Sequence, residues 1–232
     1  MKHTSTIVLA ATFAGVVAAT VISAQQAQQA PPQQPMSFFI TSVGVGRGGD
    51  LGGLAGADAH CQQLATAAGR GNVTWRAYLS TQGPNAVNAR DRIGNGPWYG
   101  ATGNLIARDL AHLHGDTLEL ARMGSGLHEL HAVNEKGALV NGRVGGPGGG
   151  PSVHDILTGS MPDGRAYTDG EDHTCSSWTS SAEGVGSARV GHHDRVGADN
   201  NSWNSTHATR GCSQANVSRG GGAGLFYCFA TN

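Results

Sequence analysis

The sequence predicts an α+β domain made of short antiparallel strands, one or two helices and long loops, and two observations lead to this class. First, short β-branched and aromatic segments recur along the chain, whereas helical spacing of apolar residues is clear only near its start. Second, glycine accounts for 37 of 232 residues and charged residues for only 13%, about half the usual share. This composition is typical of many turns and short elements, and the length suits one domain with a tail.

The N-terminal segment has the pattern of a secretory signal peptide. Lys2 precedes an apolar stretch from Ile7 to Val21, and small residues at Ser23 and Ala24 supply a cleavage site. An uncleaved membrane anchor is the alternative, although the stretch is rich in alanine, glycine and threonine. We therefore predict a signal peptide at 1–24, a secreted or periplasmic (cell-envelope) location, and no membrane span after cleavage.

Residues 25–35, mainly glutamine and proline, are predicted to be a flexible tether because they cannot bury enough apolar surface to become ordered. The folded domain is then expected at 36–232. The formal net charge of -1 gives no electrostatic footprint for nucleic acid, so we predict no nucleic-acid partner.

The first half of the domain contains the clearest elements. Residues 37–43 are β-branched and aromatic and end in a glycine cluster, which predicts a strand. Apolar residues at 53–69 then recur at helical spacing, and Gly69 suits the end of that helix. Cys61 falls on the apolar face of this helix, which favours a structural thiol over a reactive one. A second strand is predicted at 75–80.

Later segments are shorter and more interrupted. We predict short helices at 86–93 and 105–113, and strands at 176–180 and 225–230. Residues 144–151 form a glycine-proline loop, and its prolines remove amide donors that a phosphate-binding loop would need.

The four cysteines predict two disulfides, because an even number in an exported chain indicates pairing. No two of them form a Cys-x-x-Cys motif, so a structural zinc site is not expected. Counting alone leaves all three possible pairings open.

Several blocks, taken in order, resemble the C-type lectin-like fold, and more closely its endostatin-like (collagen NC10) branch and the bacterial secreted lectin-like proteins of that superfamily. The resemblance implies two nested disulfides, Cys61 with Cys228 and Cys175 with Cys212, and ligand binding in the long loop region. The blocks are GGLAGADAHCQQLA (52–65), TWRAYLS (74–80), HDILTGS (154–160), TCSSWTS (174–180), GHHDR (191–195), GCSQ (211–214) and GLFYCFA (224–230).

The triplets with which such lectins usually hold calcium are missing here. Gly83-Pro84-Asn85 lacks the polar residue before proline, and Trp203-Asn204-Ser205 lacks the final carboxylate. Residues 25–40 also contain no histidine, so the N-terminal zinc ligands of endostatin-like proteins do not carry over. We therefore predict no cofactor and no metal ligand, with calcium possible only outside the usual motifs.

Residues 169–207 are the richest in polar side chains, and three interpretations of this segment are open. Amides, carboxylates and tryptophans suit a sugar-binding surface; His192, Asp194 and His207 suit a zinc site; and the whole segment suits an internal hydrogen-bond network that holds a long loop. On the first hypothesis, the candidate ligand residues are Trp178, His193, Asp194, Asn201, Trp203, Asn204 and His207.

No catalytic residue is predicted, because neither a Gly-x-Ser-x-Gly nor a His-Glu-x-x-His motif is present. We expect a non-enzymatic carbohydrate-binding module whose partner is a glycan. The alternative is a protein-interaction or adhesion domain that binds a cell-surface protein without sugar.

Overall fold

The computed structural model describes Met1, residues 34–196 and residues 201–231. Within these residues the chain is mixed α+β, as predicted. Apart from Met1, the predicted signal peptide lies outside the described residues, as does the tether up to residue 33.

The strands form one larger sheet and one separate pair. The larger sheet has the order β1-β8-β5-β6-β7, with β2 also paired to β8, and the pair joins β3 to β4. All pairs are antiparallel except β5 with β8, so the prediction of antiparallel strands was wrong for that pair. The bounds are β1 Phe38–Ile40, β2 Trp75–Ala77, β3 Trp98–Tyr99, β4 Leu105–Ala107, β5 Asp155–Leu157, β6 Arg189–His192, β7 His207–Ala208 and β8 Gly222–Ala230.

Five helices are present in the described residues, more than the one or two expected. The longest is the predicted one, which buries Ala57, Cys61 and Ala65 on one face. A 3-10 turn at Ala89–Arg92 takes the place of the short helix predicted at 86–93. The bounds are α1 Gly53–Ala67, α2 Leu110–His114, α3 Leu118–Met123, α4 Cys175–Trp178 and α5 Gln214–Ser218.

The helix predicted at 105–113 was wrong in its first half. Leu105–Ala107 is strand β4, and the helix begins only at Leu110. The reason is a cap: the Asp109 carboxylate accepts a hydrogen bond from the backbone N–H of His112, which fixes the helix start there.

The strand predicted at 176–180 was also wrong. Cys175, Ser176, Ser177 and Trp178 all have positive φ, between 47° and 68°, so α4 is a left-handed turn. The Asp172 carboxylate accepts hydrogen bonds from the backbone N–H of Ser176, which holds the turn from outside it. Such a conformation is costly for residues with a Cβ, and sequence pattern does not reveal it.

Both disulfides have the nested pairing that the resemblance implied. Cys61 joins Cys228 with an S–S distance of 1.96 Å, and Cys175 joins Cys212 at 2.01 Å. The outer disulfide ties α1 to β8, and all four cysteines are fully buried.

Strand β8 separates two apolar cores and supplies both of them. Phe226, Cys228 and Ala230 face the core that contains α1 and the disulfides. Tyr227 and Phe229 face the opposite core, because successive strand residues point to opposite sides. This explains the unbroken apolar run that predicted the strand. No helix among the described residues is long and apolar enough to cross a membrane.

Candidate metal centre

The edge of the larger sheet brings three histidines and one aspartate together. Asp155 begins β5 and lies opposite His192, which ends β6, in an antiparallel pair. His207 begins β7 and lies opposite Val190 of β6. His154 immediately precedes Asp155 in the chain. Three side chains from neighbouring strands and that of His154, just before β5, therefore meet at one end of the sheet, and together they are called the metal centre below.

The side chains converge on one oxygen, Asp155 Oδ1. The Nε2 atoms of His192, His154 and His207 lie 3.0, 3.4 and 3.4 Å from it. The Nε2 atoms of His192 and His207 are also 3.1 Å apart. The rings of His154 and His192 are stacked, with centroids 3.9 Å apart.

The opposite nitrogen of each ring already has an acceptor. His192 Nδ1 donates to the carbonyl oxygen of Val196 at 2.6 Å, and His207 Nδ1 donates to that of Ala208 at 3.2 Å. A carbonyl can only accept, so in each neutral ring the proton is on Nδ1. Nε2 therefore presents a lone pair to Asp155.

The third ring is held by a carboxylate. His154 Nδ1 lies 3.2 Å from Asp194 Oδ2, and Asp194 Oδ1 accepts from the backbone N–H of Val196. The Asp194 side chain is fully buried. A carboxylate behind a histidine fixes its tautomer and orientation, an arrangement common in metal sites.

Asp155 Oδ1 is buried and has no hydrogen-bond partner. Asp155 as a whole is only 3% exposed. The loop that covers it is made of glycine, since a Cβ on Gly220 would lie 2.8 Å from Asp155 Oδ2 and one on Gly221 would lie 3.1 Å from the His154 ring. The close approach of this loop needs residues without side chains.

The electrostatics of the metal centre favour an ionised aspartate. Burial opposes ionisation of Asp155, but the adjacent His192 and His207 rings lower its pKa overall. The hydrogen bond to Asp194 raises the pKa of His154, and Asp155 raises that of His207. Asp194 is therefore paired with His154, and Asp155 with His207. Each of these two rings holds a proton more readily beside its carboxylate, and would give it up when a metal ion binds in its place.

The candidate sugar ligands do not form one exposed surface. Trp178 is fully buried and its Nε1 donates to the carbonyl oxygen of Ser80, so its ring offers no face for stacking. Trp203 is 4% exposed and packs against Tyr78 and Tyr227.

The remaining candidates are divided between the interior and the surface. Asn204 is buried and donates to the Tyr78 hydroxyl, and His193 is fully buried. Asp194 supports His154, and His207 belongs to the metal centre. Asn201 is exposed.

The structure brings together part of the zinc set considered from the sequence. His192 and His207 meet, but Asp194 lies behind His154 rather than among the converging atoms. His154 and Asp155 were missed as ligands, although both begin the HDILTGS block used for the resemblance.

A second feature is a surface cleft of about 360 Å³ on the other side of the loop 201–205. Asn201, Trp203 and Asn204 line it, facing His112 and His114 of α2. Both rings of α2 are used internally, since His112 contacts Gly124 O and His114 contacts Leu110 O.

No protein-family model and no curated protein sequence matches this chain.

Proposed function

We propose that this is an exported domain that binds a zinc ion at the metal centre formed by His154, Asp155, His192 and His207. The single observation that carries the proposal is the convergence of three imidazole Nε2 atoms on one buried, unpartnered carboxylate oxygen.

Four of the six distances among these atoms fit tetrahedral zinc. Zinc-to-ligand bonds of about 2.0–2.2 Å place tetrahedral ligand atoms about 3.3 Å apart. The measured separations from Asp155 Oδ1 are 3.0, 3.4 and 3.4 Å, and His192 and His207 are 3.1 Å apart. Four of the six separations are therefore close to those of tetrahedral zinc ligands, and the ligand atoms of His154, Asp155 and His192 all lie within 4.8 Å of one another.

A network of protonated histidines fits less well. One imidazolium could donate to Asp155, but the Nε2 atoms of His192 and His207, 3.1 Å apart, would repel if both were charged. If both rings are neutral, their Nε2 lone pairs face each other and the carboxylate. A metal cation between them resolves both conflicts, and so does one proton on His207, whose pKa Asp155 raises.

The ligand set selects the metal. Three imidazoles and one carboxylate suit zinc and related transition metals, whereas calcium takes oxygen ligands almost exclusively. The partners of the three Nδ1 atoms, two carbonyls and the Asp194 carboxylate, supply the outer hydrogen bonds that accompany metal-bound histidines.

Export is supported by the signal-peptide pattern of residues 1–24 and by two disulfides, which persist in oxidising compartments. The order of the blocks supports placing the domain with the C-type lectin-like fold.

Zinc stoichiometry of the purified protein, after dialysis against excess zinc and then metal-free buffer, tests the proposal. We expect one zinc per chain in the natural protein and little in His207→Ala and Asp155→Asn. The matched control is His128→Ala, a histidine outside the metal centre, which should keep one zinc. Near-ultraviolet circular dichroism verifies that each variant is folded. A folded natural protein that retains no zinc, or equal loss in His128→Ala, would overturn the proposal.

Carbohydrate binding is the second candidate, and the cleft that contains Asn201, Trp203 and Asn204 is the observation that favours it. Because the Trp203 ring is covered, recognition there would depend on hydrogen bonds rather than on stacking. A glycan array probed with added calcium, with zinc and with chelator tests this candidate. Absence of binding in all three conditions would count against it and favour the protein-interaction alternative.

A further inference from the structure

A cleft of about 350 Å³ opens directly onto the metal centre. Two of the proposed ligands, Asp155 and His207, form part of its wall. Its other lining residues are Ala208, Thr209, Arg210, Asn216, Val217 and Gly220.

We infer that this cleft admits a small carboxylate anion, with one oxygen on the metal and the other on Arg210. The inference rests on the proposed zinc site and adds to it the class of ligand that the bound metal would take.

Among the residues that the structure describes, the most exposed ligand of the metal centre lies on the cleft side. The His207 side chain is 41% exposed, whereas those of His154, His192 and Asp155 are 18, 6 and 3% exposed. Behind them, the Asp194 side chain is fully buried. A ligand therefore reaches the metal past His207, through the cleft.

The charge of the cleft selects an anion. The Asp155 carboxylate and the Asp194 carboxylate behind His154 balance a divalent ion, so Arg210 supplies the net positive charge of the cleft. Among the described residues that line the cleft, Asp155 is the only acidic one. An approaching anion therefore meets the metal and the Arg210 guanidinium, and the one acidic residue among the described lining residues is already bound to the metal.

The other polar groups of the cleft are already used. Asn216 Oδ1 accepts from the backbone N–H of Gly184, and its Nδ2 donates to Glu183. The Thr209 hydroxyl donates to the carbonyl of Gly211. Arg210 is exposed, and its planar guanidinium matches the two-oxygen geometry of a carboxylate. Because four protein ligands normally close a zinc site, the carboxylate takes the position of His207, the most exposed of the four ligands.

The test uses the full-length protein with cobalt(II) in place of zinc, because the visible spectrum of cobalt reports the number of its ligands. Acetate is the probe, and acetamide, which has the same shape without the charge, is the control. We expect acetate to shift the cobalt spectrum in a saturable way and acetamide to leave it unchanged.

The variant Arg210→Gln should weaken acetate binding about fivefold while cobalt stays bound at one per chain. Arg219→Gln, which removes an exposed arginine that does not line the cleft, should leave acetate binding unchanged. One bound cobalt with a spectrum that acetate does not shift, or an equal response to acetamide, would overturn the carboxylate inference alone. So would equal acetate affinity in Arg210→Gln. Failure to bind cobalt or zinc would overturn the proposed function as well.

Discussion

The left-handed turn α4 provides a direct test of how backbone strain is distributed in this fold. Ser176 lies in its middle with φ 55° and ψ 53°, and its side chain is exposed. A residue with a Cβ pays about 1–2 kcal/mol in this region, whereas glycine adopts it freely. The Asp172 carboxylate holds the turn through the backbone N–H of Ser176, a group that glycine retains.

Ser176→Gly is therefore expected to stabilise the folded protein. Relief of strain raises the free energy of unfolding by about 1–2 kcal/mol, and the greater entropy of glycine in the unfolded chain lowers it by about 0.5–1 kcal/mol. The net gain is about 0.5–1 kcal/mol in the free energy of unfolding, or a rise in Tm of roughly 1–4 °C for a domain of this size.

The assay is urea unfolding with both disulfides intact, repeated by calorimetry. Ser218→Gly is the matched control, because Ser218 ends the right-handed helix α5. There glycine should destabilise by about 0.5–1 kcal/mol. If Ser176→Gly lowers stability as much as Ser218→Gly does, the assignment of strain to α4 is refuted.

Three further predictions concern pH, the inner disulfide and the metal centre. Burial lowers the pKa of His114 from 6.5 to about 4. The stability that comes from its neutral form is therefore complete above pH 6.5, and up to about 3 kcal/mol of the free energy of unfolding is lost as the pH falls toward 4. His114→Gln should flatten the dependence of unfolding free energy on pH across that window, and an unchanged slope in urea titrations would contradict it. Replacing Cys175 and Cys212 together by alanine opens a loop with a sequence separation of 37 and should lower the free energy of unfolding by about 4 kcal/mol. Calorimetry measures this loss, and a value below about 1 kcal/mol would mean that the loop is ordered without the disulfide. Gly220→Ala should reduce zinc affinity with little change in the apo-protein's Tm, because its Cβ would press on Asp155 Oδ2. The affinity is measured by isothermal titration with zinc, and an unchanged affinity would contradict this prediction.

The parts of the fold that local pattern determines could be predicted from the sequence. The spacing around Cys61 gave helix α1, and the apolar run ending at Ala230 gave β8, because both signals come from neighbouring residues. The turn α4 could not be found in this way, whereas the start of α2 was missed although Asp109 is a residue type that caps helices. The first is held by Asp172 and a distant disulfide partner, and the second by the side chain of Asp109.

The metal centre was only half predictable, for a similar reason. His192 and His207 lie in a segment visibly rich in polar residues, so they were considered. Asp155 lies 37 positions before His192 and becomes its neighbour only because β5 pairs with β6. Trp178 illustrates the opposite error: its type suggested a sugar platform, but the core around it covers the whole ring.

Strand β8 also determines when these features can exist during synthesis. It is the last strand in chain order, yet β1, β2 and β5 all pair with it, and its Cys228 closes a disulfide over a sequence separation of 167. Until residues 222–230 leave the ribosome, the sheet lacks its centre, and Asp155 lacks the segment beside Gly222 that covers it. The metal centre therefore cannot assemble before β8 has been synthesised, and closure of the outer disulfide and metal capture have to follow that strand.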